Sequence, residues 1–177
     1  MKIINSKLKG LKVIISNKFR DNRGYLREIY KKKVIKESLI FHYFAKSKKN
    51  VFRGFHFQKN NQQMKLVTVL EGKIIDICID LRRNSPTFGK SFKILLSEKN
   101  KKSVLIPKGF AHGYLSLDNA NLVYFQNSTY RDKNQEKGIL WNDTSLNVKL
   151  PIKKPLISKK DQLNMSLKSF QKNYKHI

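Results

Sequence analysis

Two histidines stand in matching surroundings. One lies in Arg53-Gly54-Phe55-His56-Phe57-Gln58 and the other in Pro107-Lys108-Gly109-Phe110-Ala111-His112-Gly113. Each is close to a glycine-marked bend in a segment rich in β-forming residues, so two strands could bring the imidazoles together inside a barrel. A converging pair of imidazoles can bind a metal or move protons. Zinc and iron sites ordinarily take three or four ligands. His56 is followed by Phe57-Gln58, with no second histidine two residues on, so the metal reading lacks ligands and no metal is assigned. Proton chemistry suits the residues better, because imidazole titrates near neutral pH and is the usual general base. Such a base works best when a carboxylate fixes its tautomer. With 12 acidic residues in the chain, Asp76, Glu136, Asp143 and Asp161 are the candidates, and composition does not choose among them. Lys65, shortly after His56, could stabilise a developing enolate oxygen. Tyr124, on an apolar strand, could give a proton from the opposite face. Residue type alone equally allows Tyr124 a core role, Lys65 a surface role and His112 a structural one.

The elements that must position these groups are mostly strands. Residues 66–81 read as two strands around a Glu71-Gly72 turn; in the second, Ile75, Ile77 and Ile79 alternate with Asp76, Cys78 and Asp80. Ser85-Pro86-Thr87-Phe88-Gly89 is a turn signal. Further strands are expected at about 11–16, 39–45, 92–96, 104–106, 113–117 and 122–127. Helical pattern is weak and confined to a turn near 33–38 and the stretch 158–173. Many short strands with regular turns predict a mainly β sandwich or barrel that hides its edges. No linker or repeat interrupts the chain. Residues 1–177 therefore read as one domain, with a core over about 10–162 and a basic tail at 163–177 whose last dozen residues are expected to be poorly ordered.

Charge narrows the function classes. The net charge is +26, and lysine supplies 31 of the 38 basic residues, with Asn (16) and Ile (17) also abundant. That joint enrichment resembles an AT-rich coding bias more than a selected patch. The lysines are scattered and Arg is sparse, so nucleic acid is not the expected partner. The positive field would still draw in an anionic substrate such as a diphosphate. No apolar run approaches the length of a membrane span, and no signal-peptide stretch opens the chain. Cys78 is alone, which excludes an intrachain disulfide. A cytoplasmic protein with no membrane partner is expected.

At Pro107-x-Gly109-x-x-His112 the chain resembles the cupins, although the metal-binding branch of that superfamily typically carries a His-x-His pair that is absent here. Within the cupins it resembles the dTDP-4-dehydrorhamnose 3,5-epimerase family over about residues 10–162. The likeness rests on ordered segments: Phe19-Arg20-Asp21-Asn22-Arg23-Gly24, Arg53 to Gln58, Lys65-Leu66-Val67, Asp80-Leu81-Arg82, Ser85 to Lys90, Leu96 to Asn100, Ile106 to Gly113, Gly138 to Asp143 and Ser158-Lys159-Lys160-Asp161. Any one is weak; together and in order they are specific. The resemblance implies a mainly β, cupin-type jelly-roll β-barrel (double-stranded β-helix) with short peripheral helices. It implies an isomerase that inverts carbons 3 and 5 of a nucleotide-linked 4-keto-6-deoxyhexose without a cofactor. It implies His56 as base, Asp161 as the carboxylate behind it, Tyr124 as proton donor and Lys65 beside the keto oxygen. Arg53, Gln58, His112, Tyr130, Glu136 and Lys160 match substrate-binding positions. Phe19, Arg23 and Glu28 match further substrate contacts, the last two on the nucleotide, and in this family such contacts come from the neighbouring subunit of a homodimer with exchanged N-terminal strands.

The chain also departs from the family. Many members carry Gln-Asp-Asn-His-Ser where this chain has Phe41-His42-Tyr43-Phe44-Ala45; Leu26 replaces a usual aromatic, and Met64 stands where glycine usually precedes the lysine. Because residues in the first of these segments help hold the substrate, a single-carbon epimerase, a GDP-linked or other nucleotide, and a silent sugar-nucleotide-binding cupin stay open as alternatives.

Overall fold

A computed structural model describes residues 1–174; Lys175–Ile177, the end of the expected tail, lie outside the described residues. In chain order the strands are β1 (Lys2–Asn5), β2 (Lys12–Ile15), β3 (Lys18–Asp21), β4 (Gly24–Arg27), β5 (Phe41–Ser47), β6 (Phe52–Gln58), β7 (Lys65–Glu71), β8 (Lys73–Asp80), β9 (Ser91–Ser97), β10 (Lys102–Ile106), β11 (Phe110–Ser116), β12 (Asn121–Asn127) and β13 (Glu136–Gly138). A 3-10 turn at Thr144–Leu146 and the helices α1 (Lys159–Gln162) and α2 (Leu167–Asn173) follow. Each strand expected from the sequence is present, as is the turn near 33–38. The expected jelly roll is built from two antiparallel sheets, ordered β1-β2-β10-β7-β12-β5 and β13-β6-β11-β8-β9, with β3 and β4 forming a separate hairpin.

Period-two alternation decides what faces what. Val67 and Val69 on β7, Val104 and Ile106 on β10, and Val123 and Phe125 on β12 meet Ile74, Cys78, Leu96, Phe110 and Tyr114 of the other sheet in the central core. The outer face of the five-stranded sheet is equally apolar. Phe55, Phe57, Ile77, Ile79 and Ala111 pack there under Ile139, Leu146, Leu167 and Phe170 from the C-terminal segment. The outer face of the six-stranded sheet is covered only in part, by Ile35 with Tyr30 and Leu39 over Ile14, Leu66 and Leu105.

The expected helix over 158–173 is therefore two short helices, and much of the expected tail is structural. Leu163 to Ser166 break the helical run, and Ser166 re-starts it by accepting from the Ser169 N–H. Phe170 is fully buried, edge-on to Phe57 and stacked on Tyr174. The basic residues Lys168 and Lys172 point away from this contact, so their charge hid the apolar stripe from a compositional reading.

Two of the family-like motifs turn out to hold the scaffold. The Asp80 carboxylate accepts hydrogen bonds from the Arg82 side chain, Ser85 and Thr87, the shortest being 2.6 Å, and so folds the Ser85-Pro86-Thr87 loop onto the end of β8. Arg82 in turn lies over the Phe110 ring and against Gly109, whose φ of +83° and lack of a Cβ leave room for it.

If the C-terminal segment is part of the core, Phe170→Ala should cost about 3–5 kcal/mol. Urea unfolding of the purified variant measures this; an unchanged midpoint would show that residues 167–174 are dispensable to the fold.

Candidate active site

The two glycine-marked segments occupy neighbouring strands, and their backbones nearly touch. A Cβ on Gly54 would stand 2.5 Å from Gly113 Cα, and Gly54 holds a φ of +125° that side-chain-bearing residues rarely adopt. This approach accompanies a register shift between β6 and β11 and sets His56 directly across from His112. Both imidazoles belong to the five-stranded sheet and line the same cavity.

Each histidine has its own carboxylate. His56 Nε2 lies 2.6 Å from Asp161 Oδ1, across 105 residues of chain. Asp161 reaches it because the Leu156 backbone bridges β6, bonding Phe52 and Asn50, and because Ser158 caps α1 by accepting from the Asp161 N–H at 3.1 Å. The Gly54 N–H donates to the other Asp161 oxygen at 3.3 Å. Burial alone would raise the Asp161 carboxyl, but the hydrogen bond and charge of His56, with the Gly54 and Ser158 contacts, hold it below its ordinary value. The Asp161 side chain keeps 5% exposure and the His56 side chain 27%, so solvent and ligand reach the imidazole and not its partner. On β11, His112 Nε2 lies 2.7 Å from Asp76 Oδ2 in a pair that is almost fully buried.

The cavity has a volume of about 750 Å3, within the range that holds a drug-sized ligand. Lys65 enters it from β7, and burial pushes its ammonium pKa down. Arg53 donates to Ser47 Oγ at 3.0 Å, and that oxygen also bonds the Tyr114 hydroxyl. Glu136 is gripped by Arg131 at 2.7 and 2.9 Å and by Lys160 at 2.6 Å. Burial opposes ionisation of Glu136, but these two cations, with His56 nearby, bring it down to about 2. The four carboxylates that composition left open are thus sorted: Asp161 serves His56, Asp76 serves His112, Glu136 serves the cations, and Asp143 caps the 3-10 turn and accepts from the Leu167 N–H.

The structure brings together seven expected site residues: His56, Asp161, Lys65, Arg53, His112, Glu136 and Lys160. It does not bring Tyr124 to them. Tyr124 lies on the outer face of β12, its hydroxyl 3.0 Å from His42 Nδ1, while Phe125, one residue on, faces the cavity. The expectation of an acid at Tyr124 was one residue out of phase with the strand. Gln58 is buried and its amide is spent on backbone, donating to Asn61 O and accepting from the Asp132 N–H, so it braces two loops outside the main cavity. Tyr130 is 69% exposed and packs against Phe41 at the rim. Phe19 and Arg23 project from the β3–β4 hairpin, Arg23 paired with Asp21, and Glu28 pairs with Lys31; none lines the cavity of this chain.

Among the lining residues given no individual role in the sequence reading are Tyr43, Phe125 and Arg131. Alternation along β5 carried the signal for the first, since inward Phe41, Tyr43 and Ala45 alternate with outward His42 and Phe44. Arg131 follows Tyr130 in an irregular loop, where no period exists to read.

Two antiparallel sheets closed over an internal histidine–carboxylate–lysine set define an enzyme of the cupin fold. The family model for dTDP-4-dehydrorhamnose 3,5-epimerase matches residues 5–169, and the chain belongs to that family. The dTDP-4-dehydrorhamnose 3,5-epimerase of Shigella flexneri is 39% identical over 169 residues, spanning 91% of this chain and 93% of that protein. The crystal structure of the Bacillus anthracis enzyme with TDP and PPi bound superposes with a TM-score of 0.90 at 35% identity, covering 93% of this chain and 98% of the other. A Legionella pneumophila epimerase in complex with dTDP-4-keto-L-rhamnose gives 0.90 at 32% identity, covering 94% and 93%.

Glu136 also makes a prediction about acid stability. Its value falls from about 4.5 to about 2 on folding, so it stabilises the fold above about pH 4.5, and that contribution is lost as pH falls toward 2. The shift corresponds to about 3 kcal/mol. Urea midpoints measured from pH 5 to pH 2 should therefore fall more steeply for the wild type than for Glu136→Gln, the two converging at the acid end. Parallel pH profiles would remove Glu136 as a stabilising group.

Proposed function

We propose that this chain epimerises carbons 3 and 5 of a nucleotide-linked 4-keto-6-deoxyhexose, converting dTDP-4-dehydro-6-deoxy-glucose to dTDP-4-dehydro-L-rhamnose for deoxysugar and polysaccharide synthesis in the cytoplasm. The observation that carries this reading is the solvent-accessible His56, backed by ionised Asp161, opening onto a cavity that also receives Lys65. The ketone at carbon 4 acidifies the hydrogens on carbons 3 and 5. His56 removes one of them, and the C–H electron pair becomes the enolate. Asp161 stabilises the imidazolium that results. Lys65 stabilises the negative oxygen by charge and hydrogen bonding. Arg53 and Lys160, with the scattered positive field, suit the diphosphate. These steps move protons only and call on no cofactor.

The chain acts as a homodimer in this reading. Phe19, Arg23 and Leu26 are largely exposed on a two-stranded hairpin that belongs to neither main sheet, as suits a segment that completes a partner's site. Epimerisation at one carbon, or on a GDP-linked sugar, is the second reading. The aromatic wall of Phe41, Tyr43 and Phe125 favours it, because it changes the shape of the surface opposite the base.

In deuterium oxide, dTDP-4-dehydro-6-deoxy-glucose should take up solvent deuterium at both carbons, read by NMR. Uptake at one carbon would select the single-carbon enzyme. His56→Ala should lower turnover by about 10²–10⁴-fold with dTDP binding retained. Exchange at neither carbon of dTDP- and GDP-linked 4-keto sugars would overturn the enzymatic reading and leave a silent binding protein.

A further inference from the structure

Inverting a carbon requires a proton from the face opposite the base, and the residue expected to give it, Tyr124, is outside the cavity. His56 belongs to β6, so the donor should stand on the facing sheet. His112 and Tyr114 line the cavity but lie on β11, beside β6 in the same sheet. They are also engaged, His112 with Asp76 and Tyr114 with Ser47. Tyr130 is outside at the rim. On the facing sheet, β12 offers Phe125, which has no proton to give. Directly across from it in register, on β5, is Tyr43.

We propose that Tyr43 is the catalytic acid that returns the proton, its hydroxyl standing on the strand next to the one where a tyrosine was expected. This inference rests on the epimerase reading above. The Tyr43 ring is stacked on Phe125 with centroids 4.9 Å apart and 15° between planes, and packs against Phe41 at 5.5 Å. These contacts fix the ring and leave the hydroxyl free. Among the described residues no side chain or backbone group hydrogen-bonds it, whereas the hydroxyls of Tyr25, Tyr30, Tyr114 and Tyr124 each have a partner. An aromatic hydroxyl held on an apolar wall without a protein partner is matched to a ligand. Burial raises it to about 12, against an opposing pull from Arg131, so it is protonated at neutral pH.

The proton balance is complete. His56 takes the proton from the substrate carbon, and the C–H pair becomes the enolate π bond. The enolate carbon then takes the Tyr43 proton from the opposite face, leaving a phenolate. Arg131 stabilises the phenolate, which regains a proton from solvent while His56 loses its own.

The test is Tyr43→Phe, which keeps the ring and its stack and deletes one oxygen. Product formation should fall at least about 100-fold. Exchange of substrate hydrogen with deuterium, through removal and return by His56 on one face, should continue within about threefold of wild type, as should dTDP affinity. Tyr124→Phe, made on the outer face, should leave turnover unchanged. Inversion retained by Tyr43→Phe overturns the assignment and leaves the epimerase reading standing. Loss of exchange together with inversion also overturns it, making Tyr43 a binding or folding residue. A wild type that exchanges nothing overturns the epimerase reading, and this inference with it.

Discussion

One close approach of two backbones governs the site of this molecule. β6 and β11 meet at Gly54 and Gly113 with no room for a side chain on either. Everything at the site is referred to that contact. It shifts the register between the strands, pairs His56 with His112, and turns the Gly54 N–H toward Asp161. A larger residue at Gly54 would have to separate the strands and adopt a strained φ as well. The glycine in Arg-Gly-x-His is therefore as much a part of the site as the histidine, although it contributes no functional group.

That contact makes the outer face of the same sheet matter to catalysis. Phe55 and Phe57 flank His56 in sequence and point the opposite way, into the cluster formed with Ile139, Leu167 and Phe170. Ordering β6 against the C-terminal segment thus fixes the backbone from which His56 projects. The same segment delivers Asp161 on α1 before it reaches that cluster. His56, Asp161 and the outer core are closed by one stretch of chain, so the His56–Asp161 pair forms only when that stretch has docked.

What could be read from the sequence follows from where periodicity operates. Strands β2, β5 and β7 to β12 were visible because β-forming composition, alternation and turn signals are local properties, and β6 only as the β-rich surroundings of His56. The jelly roll and most of the cavity set followed from ordered motifs with one chemistry. Strands β1, β3, β4 and β13 were missed: each has three or four residues with at most one of them buried, so no apolar face marks it. The C-terminal helices were misjudged because lysines surround the two residues that matter, Leu167 and Phe170. Tyr124 failed for a different reason. A motif fixes which strand carries a group, but a strand has two faces, and a shift of one residue exchanges them. Val123 and Phe125 are the buried pair on β12, and that alternation could have been read beforehand.

The same face rule explains how a site can keep its chemistry when one residue changes. An inward position on β12 and its register partner on β5 are neighbours in the ladder, with side chains on the same face. A hydroxyl lost from one can be supplied by the other with a displacement of about one strand spacing, roughly 5 Å. The move has a cost in shape. It fills the space over β5 with an aromatic ring and leaves a second ring on β12, so beside Lys65 the wall opposite His56 becomes largely aromatic. The pieces on or against His56's own sheet, two histidine–carboxylate pairs and the approach of Gly54 to Gly113, are untouched by such a change. The constraint falls on the facing sheet alone, where β5 carries Phe41-His42-Tyr43-Phe44-Ala45. His56 and the aromatic wall thus stand on different sheets, and the second can vary in shape while the first is held.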